Sequence, residues 1–141
     1  MMIMNNYTEV IEYVKEQIDY DYLLKYEKLD TDLLDYVVIL IAETYMLKGP
    51  DTIIARVKYS TEYVKDRFSQ LNSEHIKYIF DSLNSTRTEI RNIRQYLRTA
   101  LFNAPATMGA YYQRKVHMNK FHFNILYIYY MKMENLFIKS F

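Results

Sequence analysis

The chain has 141 residues, of which half are hydrophobic and a quarter are charged, with only two glycines and two prolines. This size and balance suit one globular domain and exclude a disordered or fibrous chain. The absence of cysteine excludes disulfides, thiolate metal sites and cysteine nucleophiles. No signal-peptide pattern opens the sequence at Met1, so we expect an intracellular, cytoplasmic protein.

The net charge of +1 hides an uneven distribution along the chain. Residues 1–81 contain nine Lys/Arg and fifteen Asp/Glu, whereas residues 82–141 contain nine Lys/Arg and two Asp/Glu. The first part is therefore acidic and the second part is basic. Two interpretations stand side by side: the basic part meets nucleic acid or an acidic partner, or the two parts attract each other within the fold.

Four helices are predicted from N-caps that precede apolar residues at helical spacing. The second runs to about Leu47 and is apolar almost all round, which is typical of the buried centre of a domain. The third extends to about Gln70 and the fourth to about Leu83, and a short irregular or one-turn segment separates the first two. The predicted caps are, in chain order, Asn6, Asp30 or Thr31, Ser60, and Asn72 or Ser73.

The segment Thr52 to Tyr59 is rich in β-branched and aromatic residues, which indicates a short strand or an extended crossing. A strand needs a partner, and no convincing second strand follows in the sequence. We therefore predict an all-α fold, a compact bundle of about five to six helices with a short extended segment at residues 52–59.

A fifth helix is predicted from about Arg87 to Asn103, opened by a Thr86 and Glu89 capping box and ended by Ala104-Pro105. Its arginines are spaced by four, three and four residues, which at 100° per residue places them along one stripe. The predicted apolar face comprises Ile90, Ile93, Leu97, Ala100 and Leu101. The arginine stripe comprises Arg87, Arg91, Arg94 and Arg98.

The arginine stripe is the candidate binding site of the chain. A guanidinium group offers a planar fork of donors to oxyanions, so the stripe suits phosphates or an acidic partner. The alternative interpretation is a solvated helix face that the acidic first half of the domain partly neutralises.

After the fifth helix, Thr107 is predicted to cap a sixth helix, so we take residues 1–116 as the domain and residues 117–141 as a hydrophobic C-terminal tail. The longest apolar run of the tail has seven residues, too few to cross a membrane. The tail suits a packed terminal helix or strand, a partner-binding segment, or an aggregation-prone end. We favour a helix docked on the domain or on a second copy, which would make a homo-oligomer.

No constellation of residues indicates catalysis. Two glycines cannot form a Gly-rich phosphate loop, and no histidine pair has the i, i+4 spacing of a helical zinc site. The acid pairs Asp19 with Asp21 and Asp30 with Asp32 are explained by capping and turn formation. We therefore predict a protein that is not an enzyme, without catalytic, cofactor or metal-binding residues.

The run LNSEHIKYIFDSLNSTRTEIRNIRQYLRTALFNAPATMGAYY, from Leu71 to Tyr112, closely resembles the C-terminal domain of RepA-type plasmid replication initiators. IDYDYLL, from Ile18 to Leu24, and VKDRF, from Val64 to Phe68, resemble upstream segments of the same domain. The resemblance covers about residues 7–116.

The resemblance implies a helical module similar to the C-terminal domain of the primosomal protein DnaD. It implies recruitment of host replication proteins, such as primase or helicase-loading factors, with DNA as a further contact. In that family the domain follows a winged-helix region that binds the origin, which this sequence lacks, so we expect a truncated initiator. The leading hypothesis is a non-enzymatic protein-interaction module of plasmid or mobile-element replication. The alternatives are a nucleic-acid-binding helical module that uses the arginine stripe, and a remnant that oligomerises through its tail.

Overall fold

The computed structural model describes residues 6–86 and 89–119, with side chains as far as residue 109. The described residues up to Pro105 belong to one compact unit, and a second unit begins at Ala106. The described part of the chain is mostly helical, with six helices and one two-stranded sheet. Its elements are α1 (Tyr7–Gln17), α2 (Tyr20–Lys25), α3 (Thr31–Tyr45), β1 (Asp51–Ile54), β2 (Val57–Ser60), α4 (Thr61–Ser69), α5 (Ser73–Ser85) and α6 (Ile93–Asn119).

The predicted caps of the first four long helices are confirmed. In each case the side-chain oxygen of the cap accepts a backbone N–H from the first turn, which satisfies a donor that the helix itself leaves unpaired. The segment predicted as irregular or one-turn forms the short helix α2. The observed caps are Asn6 for α1, Asp30 for α3, Ser60 for α4 and Asn72 for α5.

Helix α3 lies at the centre of the hydrophobic core, as its nearly continuous apolar sequence predicts. Its side chains are buried on several sides and pack with apolar residues of α1, α4, α5 and α6. A helix with so few polar side chains requires this position, because little of its surface interacts favourably with water. The fully or almost fully buried side chains of α3 are Leu34, Val37, Val38, Leu40, Ile41 and Ala42.

A polar cluster centred on Gln17 connects α1 with the turn between α4 and α5. Gln17 Nε2 donates to the carbonyl oxygens of Phe68 at 3.0 Å and Leu71 at 2.9 Å, and the Tyr45 hydroxyl donates to Gln17 Oε1 at 2.6 Å. Burial raises the pKa of Tyr45 to about 12, so this hydroxyl remains a donor at neutral pH. These hydrogen bonds join α1, α3 and the turn between α4 and α5. They also give partners to polar groups that would otherwise be buried without one.

The prediction of an all-α fold is wrong at residues 51–60, which form a β-hairpin. Strands β1 and β2 pair antiparallel, with Ile54 opposite Val57 beside the turn. The partner of β1 is therefore β2, which lies within the same predicted segment. The two turn residues, Ala55 and Arg56, have φ angles of +50° and +67°. A two-residue turn with both φ values positive is usually recognised by Asn-Gly, and Ala-Arg gives no such signal.

Replacing Ala55 by asparagine is expected to stabilise the protein. Left-handed backbone is costly for alanine, whereas asparagine visits it readily, so the free energy of unfolding should rise by about 0.5 to 1 kcal/mol. Chemical denaturation measures this change. Ala55→Val at the same position should lower stability, because a β-branched side chain tolerates positive φ poorly. Equal midpoints for the two variants would contradict the turn geometry.

The predicted start of the fifth helix is also wrong. Asn92 caps α6, its side chain accepting the Gln95 backbone N–H at 3.0 Å, so the helix begins at Ile93 rather than at Arg87. Thr86 instead ends α5, where its hydroxyl donates to the Ser82 carbonyl oxygen at 2.7 Å. The predicted capping box with Glu89 is not formed, because the Thr86 side chain is used by the preceding helix.

Pro105 does not end this helix, and a separate sixth helix capped by Thr107 is not formed. Helix α6 includes Pro105 and continues to Asn119. Proline fixes φ near the helical value and removes one N–H, so a long helix with many other hydrogen bonds can contain it at a local cost. Residues 120–141 lie outside the described residues, and the structure of the predicted tail stays a prediction. Within the described ranges, no helix is both long enough and apolar enough to cross a membrane.

The cap of α5 contains a titratable group. The Asn72 backbone N–H donates to His75 Nδ1 at 3.0 Å, while Asn72 Oδ1 accepts the backbone N–H groups of Glu74 and His75. Burial lowers the pKa of His75 below its ordinary 6.5. The neutral ring is therefore the form that the folded protein favours, and protonation of Nδ1 would remove the acceptor of this capping box.

This arrangement predicts a loss of stability in acid that is specific to His75. The unfolded chain binds the proton more tightly than the folded one, so stability falls as the pH drops below about 6.5 toward the lower pKa of the folded state. Denaturation midpoints at about pH 7.5 and about pH 5 measure the effect. In His75→Gln the amide oxygen accepts at either pH, and its acid-induced loss should be smaller. Parallel pH profiles for the two proteins would contradict the account.

Candidate functional site

The four arginines of the predicted stripe do not lie together on one helix. Arg94 and Arg98 occupy the first turns of α6, four residues apart and hence on one face. Arg91 is exposed and lies before the helix, and Arg87 lies outside the described residues. The geometry of a four-residue helical row is therefore wrong, because the helix starts at Ile93. The role of these arginines in binding stays a prediction.

Arg94 is already paired within the domain. Its Nη2 donates to Glu43 Oε2 of α3 at 2.7 Å, with about half of each side chain exposed to solvent. This hydrogen bond to the Glu43 carboxylate raises the pKa of Arg94. The acidic first half of the chain thus neutralises this part of the basic second half. At this position the two parts of the chain attract each other within the fold, which is one of the two interpretations of the uneven charge. An exposed pair of this kind contributes little to stability.

Arg98 differs from Arg94 in its environment. Its side chain is half-buried, and burial lowers its pKa, with a further lowering by the neighbouring charge of Arg94. No hydrogen bond or ion pair joins its guanidinium group to the described part of the chain. Arg98 therefore carries a partly desolvated charge that only the more distant carboxylate of Glu43 offsets, so an anion in contact with its guanidinium group would stabilise it.

A third arginine, Arg56 in the turn of the hairpin, lines the same cavity as Arg94 and Arg98. The turn of the hairpin lies beside the start of α6, and a cavity of 340 Å³ opens between them. We call this cavity the arginine pocket. It is lined by Ile53, Ile54, Ala55, Arg56, Asn92, Arg94, Gln95, Arg98 and Thr99.

A larger, open groove of 740 Å³ adjoins the arginine pocket and shares five of its lining residues. It adds apolar and weakly polar side chains, with Ile90, Tyr96 and Ala100 among them, and one carboxylate, Glu89. Together the two cavities form a continuous concave surface along the hairpin tip and the first two turns of α6. The concave shape and apolar lining suit a peptide segment or a small ligand better than a flat surface would.

The lining of the arginine pocket has a definite chemical character. Among the described residues it contains three guanidinium groups and no carboxylate, and one of these groups, that of Arg94, is paired with Glu43. Ile53, which is 64% exposed, provides an apolar wall on the same surface. Asn92, Gln95 and Thr99 contribute neutral amide and hydroxyl groups. The pocket therefore suits a ligand that combines an oxyanion with an apolar group.

The described residues that line the two cavities include three guanidinium groups and one carboxylate, Glu89. None of the residues lining the two cavities is a histidine or a cysteine. Among residues 6–86 and 89–119, no three His, Asp or Glu side chains are arranged to hold a metal ion. The chemistry that this surface supports is recognition of an anion.

Comparison with known proteins assigns the chain to a family. A model described as a family of unknown function (DUF6017) matches residues 1–121. The chain belongs to this family. The match includes all eight elements, so the arginine pocket lies entirely within the DUF6017 region. No curated protein and no solved structure matches the chain.

In this DUF6017 chain, sequence reasoning missed Arg56. The residue is far from Arg94 and Arg98 in sequence, and no helical spacing relates them. The hairpin relates them in space, because its turn places Arg56 in the lining of the same cavity as Arg94 and Arg98. Recognition of two short strands with an unusual Ala-Arg turn would have been needed to find it.

Proposed function

We propose that this DUF6017 chain is a non-enzymatic protein-interaction module of plasmid or mobile-element replication, which recruits host replication proteins such as primase or helicase-loading factors. The arginine pocket and its adjoining groove carry the proposal, because they give the domain a concave, cationic and partly apolar surface. The resemblance of Leu71 to Tyr112 to RepA-type initiators supplies the biological setting. We place this recruitment in the cytoplasm, where host replication proteins act.

The arrangement of the arginines favours a protein partner over nucleic acid. A nucleic-acid backbone is bound by cations distributed along its length. Here Arg94 is paired with Glu43, Arg98 is half-buried, and Arg91 does not line either cavity. Interfaces between proteins combine arginine with apolar side chains at their centre, as this surface does with Ile53.

Direct capture tests the proposal. The tagged chain is immobilised and incubated separately with purified primase and with a purified helicase-loading factor from a low-G/C bacterium, and the bound fraction is measured. We expect one of them to bind at micromolar concentrations, and the same protein not to bind the tag alone. Absence of binding by both at saturating concentrations would overturn the proposal.

A nucleic-acid-binding module remains the second candidate, since three arginines border one cavity without an acid in its lining. Such a module would bind duplex DNA with an affinity that falls as salt rises, with a slope of about −0.9 in the logarithmic plot for each phosphate neutralised. Three contacts thus predict a slope of about −3. Binding that is absent, or that is independent of salt, would remove this candidate.

A further inference from the structure

We infer that the arginine pocket binds a carboxylate of an acidic peptide segment, while an apolar side chain of the same segment rests on Ile53. The inference rests on the proposed function and names the chemistry of the partner at its site. It identifies Arg98 and Arg56 as the charges that receive the carboxylate.

The first support is the balance of charge in the pocket. Glu43 already neutralises Arg94 through a direct hydrogen bond at 2.7 Å. Arg98 and Arg56 have no such partner in the described residues, and both line the cavity. An added carboxylate would therefore meet two guanidinium groups that form no direct ion pair with the described residues. One of them, Arg98, is half-buried, and there water screens the attraction less than at an exposed site.

The second support is the apolar wall. Ile53 lies on β1, is 64% exposed and borders the cavity that contains the guanidinium groups. A phosphate backbone offers nothing to cover such a side chain, whereas a peptide with an acidic residue next to a leucine or phenylalanine offers both groups at once. Gln95 and Thr99 line the same cavity and supply polar groups for the backbone of a peptide.

The third support is size. A cavity of 340 Å³ is about the lower limit of a ligand pocket, which admits one or two side chains. The adjoining groove of 740 Å³ extends this space along α6 and gives the rest of the segment a place to lie. The occupant is therefore an extended acidic segment rather than a folded surface or a duplex.

Fluorescence anisotropy with short synthetic peptides tests the inference. The probe is a labelled, C-terminally amidated peptide Ser-Gly-Glu-Asp-Glu-Leu-Phe, compared with the amidated peptides Ser-Gly-Gln-Asn-Gln-Leu-Phe and Ser-Gly-Glu-Asp-Glu-Ser-Ser, so that no peptide carries a terminal carboxylate. We expect the first to bind and each of the others to bind at least about tenfold more weakly, since each lacks one of the two groups that the pocket recognises. Equal binding of all three would overturn the inference.

Protein variants locate the site. Arg98→Gln should weaken binding of the first peptide at least about tenfold, whereas Arg91→Gln removes an equal charge outside the cavity and should change affinity by less than about twofold. Ile53→Ser should weaken the first peptide but not the peptide that ends in two serines. Equal losses for Arg98→Gln and Arg91→Gln would mean diffuse charge attraction and would overturn the inference. Circular dichroism of each variant controls for folding.

The peptide also separates this inference from the proposed function. If a replication protein is captured and excess acidic peptide does not displace it, the pocket assignment fails while the proposed function stands. If no replication protein is captured but the peptides bind in the expected order, the proposed function fails and the pocket assignment stands. Tighter binding of a single-stranded oligonucleotide than of any peptide would overturn the inference in favour of nucleic acid.

Discussion

Replacement of Phe68 by alanine is expected to lower the free energy of unfolding by about 3 to 5 kcal/mol. Phe68 is fully buried in α4 and belongs to the single core that also contains α3. Truncation removes its apolar surface from the core and leaves a cavity that the neighbouring helices fill only in part. A domain of this size is stable by about 5 to 15 kcal/mol, so the variant should lose a large fraction of its stability.

Chemical denaturation measures this loss, and two further variants make the result specific. Phe68→Leu keeps most of the volume and should cost much less. Tyr26→Ala removes an aromatic ring that is 71% exposed and should change stability by no more than about 0.5 kcal/mol. If Phe68→Ala and Tyr26→Ala were equally stable, the described core would be wrong.

The second large effect is expected on binding. The double variant Arg56→Gly/Arg98→Gln should reduce the affinity for the captured replication protein by at least about a hundredfold, because each charge-assisted contact contributes about tenfold or more. Glycine adopts the φ of +67° at position 56 without strain, so the hairpin should be as stable as before or more so. Loss of binding would therefore not be a consequence of a weakened hairpin.

A titration of labelled protein against the partner measures this affinity. The control is Lys58→Gln, which removes a positive charge from the same hairpin but outside both cavities, where Lys58 forms an exposed ion pair with Asp51 at 3.4 Å. This control should bind almost as well as the original chain. Unchanged affinity of the double variant would show that the partner binds elsewhere.

The sequence predicts the helices that begin with a capping side chain followed by apolar residues at helical spacing. Asn6, Asp30, Ser60 and Asn72 are all observed as caps. These signals are local, since the cap and the N–H that it satisfies lie within one turn. The burial of α3 is predictable for a similar reason, because a helix with almost no polar face has few alternatives to the core.

Two of the errors of the fold prediction, at residue 86 and at residues 55–56, arise where local signals are ambiguous or weak. At residue 86 a threonine suits either the end of α5 or the start of the next helix, and its contact with the Ser82 carbonyl decides for the former. Asn92 caps α6 in its place, and asparagine is among the best capping residues. At residues 55–56 the packing of the strands outweighs the unfavourable backbone of the turn. Ile54 of β1 contributes to this packing, since it is only 3% exposed.

The candidate site is predictable only in part for the same reason. The concentration of arginines in one segment identifies Arg94 and Arg98 from sequence alone. Tertiary structure distinguishes the two residues. Glu43 of α3 neutralises Arg94, whereas Arg98 lines a cavity that the hairpin borders. Spacing along a helix predicts neither contact. Glu43 and Arg56 each lie more than forty positions before the arginine that they accompany in α6, and Arg56 also lies in a turn without the usual turn residues.

The claim that the hairpin and the start of α6 form the docking surface is tested most directly by chemical-shift mapping. The isotope-labelled chain, at 17.2 kDa, is small enough for amide spectra to be recorded with and without the captured replication protein or its acidic segment. We predict that the perturbed amides cluster at residues 53–56 and 92–99 and that those of α1 remain in place. Perturbations confined to other elements, with both clusters unchanged, would contradict the claim.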